Sequence, residues 1–145
     1  HHYQRYPSEW DKVRDNVLKF KNHSWIRLST NATISNYNIF YLDEITDEIV
    51  KNIGTSVWYN ILHAPYDQSV AALDPEIKEI LVKKLEHLNS YQHEIMPILN
   101  FVASKPDPEK IRMFLTRNEE QDEYRKQSFA TTFPEWNAIL RSHYK

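Results

Sequence analysis

Cysteine is absent from the 145 residues, and glycine occurs once. The first absence excludes disulfides, a thiolate nucleophile and any zinc or iron–sulfur site held by this chain's own sulfur. The second excludes a glycine-rich phosphate loop, which needs several residues free of a Cβ. Charge of one sign is also missing: 18 Lys and Arg against 20 Asp and Glu give a formal net charge of -2. With the basic residues scattered and an isoelectric point near 6.4, the electrostatic stripe of a nucleic-acid binder is not there. A mean hydropathy of -0.69 accompanies the lack of any long apolar run, so no membrane-spanning segment is expected. No signal or transit segment is visible, and a start at His1-His2 without Met is expected of a tag remnant or of a cut in a longer protein.

What is present suffices for one domain with a real core, since 41% of the residues are hydrophobic and 13% aromatic. Tyr3 to Pro7 reads as an extended lead-in, and Ser8 is placed to cap a helix with Trp10, Val13, Val17 and Phe20 at helical spacing through Asn22. From Trp25 the period changes to two. Ile26, Leu28, Thr30 and Ala32 fall on one face and Arg27, Ser29, Asn31 and Thr33 on the other, which predicts a strand. Ser35-Asn36-Tyr37-Asn38 ends it. Leu42, Ile45, Ile49 and Ile53 then mark a helix that Gly54 closes as a left-handed cap.

Ser56 to Ala64 is a near-continuous apolar and β-branched run, as expected of a strand covered on both sides. Strand, helix and strand at these intervals form a βαβ unit with a parallel pair and a right-handed crossover, and the helix from Ser8 leads into it as though an earlier strand preceded it. Both strands end in polar loops on the same edge, where β/α proteins place ligand groups. Asn31, Thr33, Ser35, Asn36 and Asn38 are therefore candidates, with ordinary turn and cap roles as the alternative. Asp74-Pro75 starts a third helix with a stripe of Ile77, Ile80, Leu81, Leu85 and Leu88.

From Asn89 the pattern is helical. Ile95, Ile98, Leu99 and Val102 form a short helix that Lys105-Pro106 stops; Asp107-Pro108 caps another carrying Ile111, Phe114 and Leu115. The charged run from Arg117 to Lys126 reads as a solvated face with local ion pairs. Phe129, Phe133-Pro134, Trp136, Ile139 and Leu140 predict a tail helix folded back on the domain, with Ser142 onward open to fraying. Catalytic signatures are weak: His93-Glu94 lacks the second histidine of a zinc helix, and His63 at a strand end reads as a hydrogen-bonded group or a general base.

The stretches YQRYPSEWDKVRDNV from Tyr3 and TISNYNIFYLDEI from Thr33 resemble radical S-adenosylmethionine proteins with a shortened, twitch or SPASM-like C-terminal extension. VWYNIL from Val57, Ser69-Val70, Leu73, Glu76-Ile77-Lys78, Asp122, Arg125 and Phe133-Pro134-Glu135-Trp136 continue the likeness. It implies an α/β fold: a partial (β/α) barrel over residues 1–88, two parallel strands with flanking helices, and a helical C-terminal extension over 89–145 packed on it. The strands from Trp25 and Ser56 would be the fifth and sixth of a six-stranded partial barrel. By position, Asn31, Thr33 and Asn38 would lie beside the methionine or ribose of S-adenosylmethionine, and Asn60, Leu62 and His63 near its adenine.

That family holds a [4Fe-4S] cluster through a three-cysteine loop, which this chain lacks, so no cofactor is expected to be firmly bound by the chain alone. The resemblance further implies a cytoplasmic protein, the later half of an enzyme that generates a 5′-deoxyadenosyl radical, inactive by itself. The alternative is a non-catalytic binding or assembly module derived from such a barrel, in a viral or accessory setting. Either reading expects association along the open strand edge, with another chain or with the missing barrel half, because a two-stranded sheet leaves backbone groups unpaired.

Overall fold

The computed structural model describes residues 2–90 and 104–145, the side chains of residues 89 and 90 excepted. The expected helix through Ile95 and Val102 lies outside the described residues. Helix α1, Trp10–Lys21, begins later than expected: Glu9 is the cap residue, and no side chain bonds the first turn. Strand β1 is Ser29–Ile34 and strand β2 is Ser56–Ile61. They pair in parallel, with Ser29 opposite Ser56 and Ile34 opposite Ile61.

Between the strands, a short 3₁₀ turn at Ile39–Tyr41 leads into α2, Leu42–Asp47, which loosens into π-type turns over Glu48–Ile53. Gly54 ends it at φ 72°, the left-handed conformation that the only glycine was expected to supply. A Cβ there would also stand 2.5 Å from Lys21 Nζ, which reaches in to donate 2.6 Å to the Ile53 carbonyl. Helix α3 is Pro75–Leu85, α4 Pro108–Arg125, α5 the single turn Phe129–Thr132, and α6 Pro134–His143. Asp107 caps α4 through its own carboxylate, and Pro108, Pro75 and Pro134 each open a helix as the sequence predicts.

Among the described residues, the sheet is covered on one face only. Val57 is buried and Tyr59 and Ile61 are partly buried on the side that packs against α2, whereas Ser56, Trp58 and Asn60 are exposed. The expectation that β2 is covered on both sides is thus corrected. Its run is an alternation in which Trp58, an aromatic residue with high strand propensity, occupies the open face at 52% exposure. On the covered face, Tyr59 Oη meets Thr46 Oγ1 at 2.6 Å, and Thr46 in turn donates 2.6 Å to the Leu42 carbonyl, pinning α2 to the strand.

One apolar cluster joins both segments of the chain. Ile34, Leu42, Leu73, Leu81 and Leu85 pack with Phe114, Phe129, Trp136 and Leu140. The tail helix is therefore part of the core, as its Trp136 and Leu140 stripe implies, and it does not fray at Ser142. Tyr144 is buried, and its hydroxyl accepts 2.7 Å from the Asp74 amide at the start of α3. Two helical stripes are less covered than their spacing predicts. Ile80 of α3 is 43% exposed, and α1 has no buried residue, with Phe20 at 56%.

Candidate functional site

The two polar loops predicted on one edge do meet there, but the side chain that joins them is buried. Asn36, fully enclosed, donates its amide to the carbonyls of Asp67 and Ser69, 3.0 Å each, while its own N–H bonds the Gln68 carbonyl at 2.8 Å. Trp136 Nε1 closes on the Asn36 carbonyl at 2.6 Å. Asn36 is therefore the clasp of the two strand-end loops. Asn38 also turns inward: its amide donates 2.8 Å to the Thr33 carbonyl and its oxygen accepts 2.9 Å from the Ser35 amide. Both ends of that side chain shape the turn, as an Asx motif does.

The remaining candidates divide by strand parity. In a parallel pair, residues opposite each other point to the same side, so Asn31 beside Trp58 and Thr33 beside Asn60 share the open face. Leu62 follows at the same parity, its N–H bonded to the Ile34 carbonyl at 2.9 Å, and His63 is exposed just beyond. The structure thus brings Asn31, Thr33 and Asn60 together on one uncovered surface, with Leu62 at its end. It adds Trp58, which residue-by-residue reading passed over although the alternation Ser56, Trp58, Asn60 was there to see. The face offers amides, a hydroxyl and an indole. Neutral groups of this kind can hydrogen-bond a heteroaromatic ring or a ribose, and they carry no charge for acid–base work.

Behind the loops lies a charged and phenolic layer drawn from the run that reads as solvated. Arg117 meets Asp67, itself 4% exposed, at 2.6 Å, and the Tyr37 hydroxyl donates 2.8 Å to Asn118 Oδ1. Asp122 accepts 2.7 Å from the Phe129 amide, and Arg125 reaches the Tyr3 carbonyl at 3.4 Å. The expectation of purely local pairing is corrected for these residues, although Glu119 and Glu120 do stay exposed. Lys78, enclosed in α3, donates to the carbonyls of Ala71 and Ser104 at 3.0 and 2.8 Å, and burial lowers its pKa.

Burial raises the phenol of Tyr37 to about 12, with Asp67 adding to the shift and Arg117 opposing it. Burial likewise raises Tyr3, helped by the Asp122 carboxylate, and Tyr144. The folded state holds these phenolic protons more tightly than the unfolded chain, so the stability they represent is complete below the ordinary tyrosine value of about 10 and is lost as pH rises above it. Tyr37 alone accounts for up to roughly 3 kcal/mol of that loss once it ionises. The expected result is a cooperative alkaline unfolding between about pH 10 and 12, with tyrosinate absorbance and far-ultraviolet circular dichroism changing together. A buried phenol ionising well before the dichroism changes would contradict it.

A cleft of about 580 Å³ runs beside β1, lined by Asn31, Thr33 and Asn38 together with Trp10, Ile45 and Phe133 among others. Among the described residues no cluster of three or more His, Asp or Glu side chains could hold a metal ion, and no helix is long and apolar enough to cross a membrane. No protein-family model matches the chain, no curated protein does, and no solved structure does.

Proposed function

We propose that the chain is the later half of a (β/α) barrel of the radical S-adenosylmethionine kind, with the open face of β1 and β2 turned toward the cofactor and the earlier barrel half completing the sheet. The observation that carries this reading is the one-sided covering of a parallel pair: helices on one face, and Asn31, Thr33 and Asn60 side by side on the other. The side-chain amides of Asn31 and Asn60 have no hydrogen-bond partner among the described residues. They suit the polar edges of adenine or ribose, with Leu62 supplying an apolar contact. The iron–sulfur cluster does not fit this chain, because its ligands are thiolates and there is no cysteine. In the family it resembles, S-adenosylmethionine supplies a carbon radical for hydrogen abstraction, and this chain's share is to hold and orient the nucleoside.

The test is a nuclear magnetic resonance titration of the chain with S-adenosylmethionine. Shift changes should be confined to Asn31, Thr33, Trp58, Asn60 and Leu62, with a dissociation constant near millimolar, about -4 kcal/mol, because only part of the site is present. The absence of any change on that face, or changes centred elsewhere, would overturn the reading. The second reading, a non-catalytic assembly module, draws on the open edge of β1 and needs no nucleoside at all.

A further inference from the structure

We propose that the cleft beside β1 receives an extended segment of another polypeptide, which joins the sheet there as a third strand. This deepens the half-barrel reading by naming what closes the edge and which edge it is. The backbone states the need. The Ile34 carbonyl bonds Leu62 of the β2 side, and because neighbouring residues of a strand direct their N–H and C=O to opposite sides, the polar groups of Ser29, Asn31 and Thr33 point the other way, into the cleft. Asn38 takes the Thr33 carbonyl and so terminates the edge at that end. Among the described residues nothing bonds the outward N–H groups of Asn31 and Thr33.

The side chains point to the same occupant. The apolar stripe of α1 is only partly buried at Trp10, Val13 and Val17 and is exposed at Phe20, and its first residue, Trp10, forms one wall of the cleft. Ile45 and Ile49 of the α2 segment form another part of the lining, with Tyr41 and Phe133. An incoming strand would set alternate residues on that apolar lining and the others on the open face beside Asn31 and Thr33. Charge narrows it further. Glu44 on the cleft wall is exposed and has no ion pair among the described residues, while Glu48 already has Arg14 at 3.8 Å and the Trp10 indole N–H at 3.3 Å. A strand with alternating apolar residues and a Lys or Arg opposite Glu44 fits both features.

The experiment is a selection of displayed random peptides of roughly strand length, about nine residues, against the whole chain and against Glu44→Lys. Enriched peptides should alternate apolar and polar residues and carry a basic position that becomes acidic against the variant. The best of them should slow hydrogen exchange at the Asn31 and Thr33 amides by about tenfold or more, and methylating its backbone nitrogens on the β1 side should weaken binding by a similar factor. No enriched pattern, unchanged exchange at those amides, or indifference to backbone methylation would overturn the proposal. So would self-association of the chain that protects the same amides, since a second copy would then be the occupant. Protection by peptide without any response to S-adenosylmethionine would remove the nucleoside reading and leave this one standing.

Discussion

Replacing Trp136 by alanine should lower the unfolding midpoint by roughly 10 °C or more. The indole is fully buried, stacks on Phe40 with ring centres 5.4 Å apart, and donates to the Asn36 carbonyl at 2.6 Å. Truncating a buried tryptophan costs about 3–5 kcal/mol in lost transfer energy and residual cavity, and in a chain of this size each kcal/mol moves the midpoint by about 3 °C. Trp136→Phe separates the two contributions. It keeps most of the packing and removes the N–H, leaving a buried carbonyl unsatisfied, so about 1–3 kcal/mol should be lost. Thermal melts followed by circular dichroism decide the matter, and a shift of only a degree or two for the alanine variant would show that α6 does not belong to the core.

The second large effect belongs to Asn36. Its amide is the donor for two carbonyls on the loop after β2, and Asn36→Ala strips both while water is excluded from the site. The Asp67 carbonyl is then left alone, at about 1–3 kcal/mol, whereas the Ser69 carbonyl keeps the Ala72 amide at 3.2 Å and loses one bond of about 1 kcal/mol, so the loss is of the order of 2–4 kcal/mol. Asn36→Asp should be worse near neutral pH, because a carboxylate then faces two carbonyl oxygens in a desolvated place. Urea denaturation supplies the magnitude. Hydrogen exchange supplies the location: the Asn36 and Gln68 amides should lose protection before the β1–β2 ladder does. Uniform loss across the chain would mean that the two loops are not a separate unit held by this side chain.

How far the sequence reveals this structure depends on the range of the interaction. Pro75, Pro108 and Pro134 announce helix starts and Gly54 a left-handed end, because each acts through its own backbone angles. The burial of Trp136 and Leu140 is legible for a similar reason: helical spacing puts them on one face, and their size keeps them from water. The role of Asn118 is not legible. Its partner Tyr37 stands 81 positions away, and nothing in the charged run around it distinguishes a buried amide from a solvated one. Trp58 misleads in the opposite direction, since strand propensity is the same whether an aromatic faces a core or an open surface. Of the candidate site, period two places Asn31 and Thr33 on one face of β1, but the reading of β2 as covered on both sides hides the face that Asn60 shares with them, and the inward turn of Asn38 depends on loop geometry that no periodicity encodes.

The clasp between Asn36 and Trp136 spans 100 positions, and the bond from Arg125 to Tyr3 spans 122. Loops of that length close late and slowly. On the ribosome, the strand pair and α2 emerge long before the tryptophan that seals them, so the nascent chain leaves Ile34, Leu42 and Phe40 without their final neighbours until α6 has cleared the exit tunnel. A product that stops short of Pro134 leaves those side chains without the cover of Trp136 and Leu140 and is expected to be cleaved by protease faster than the full chain.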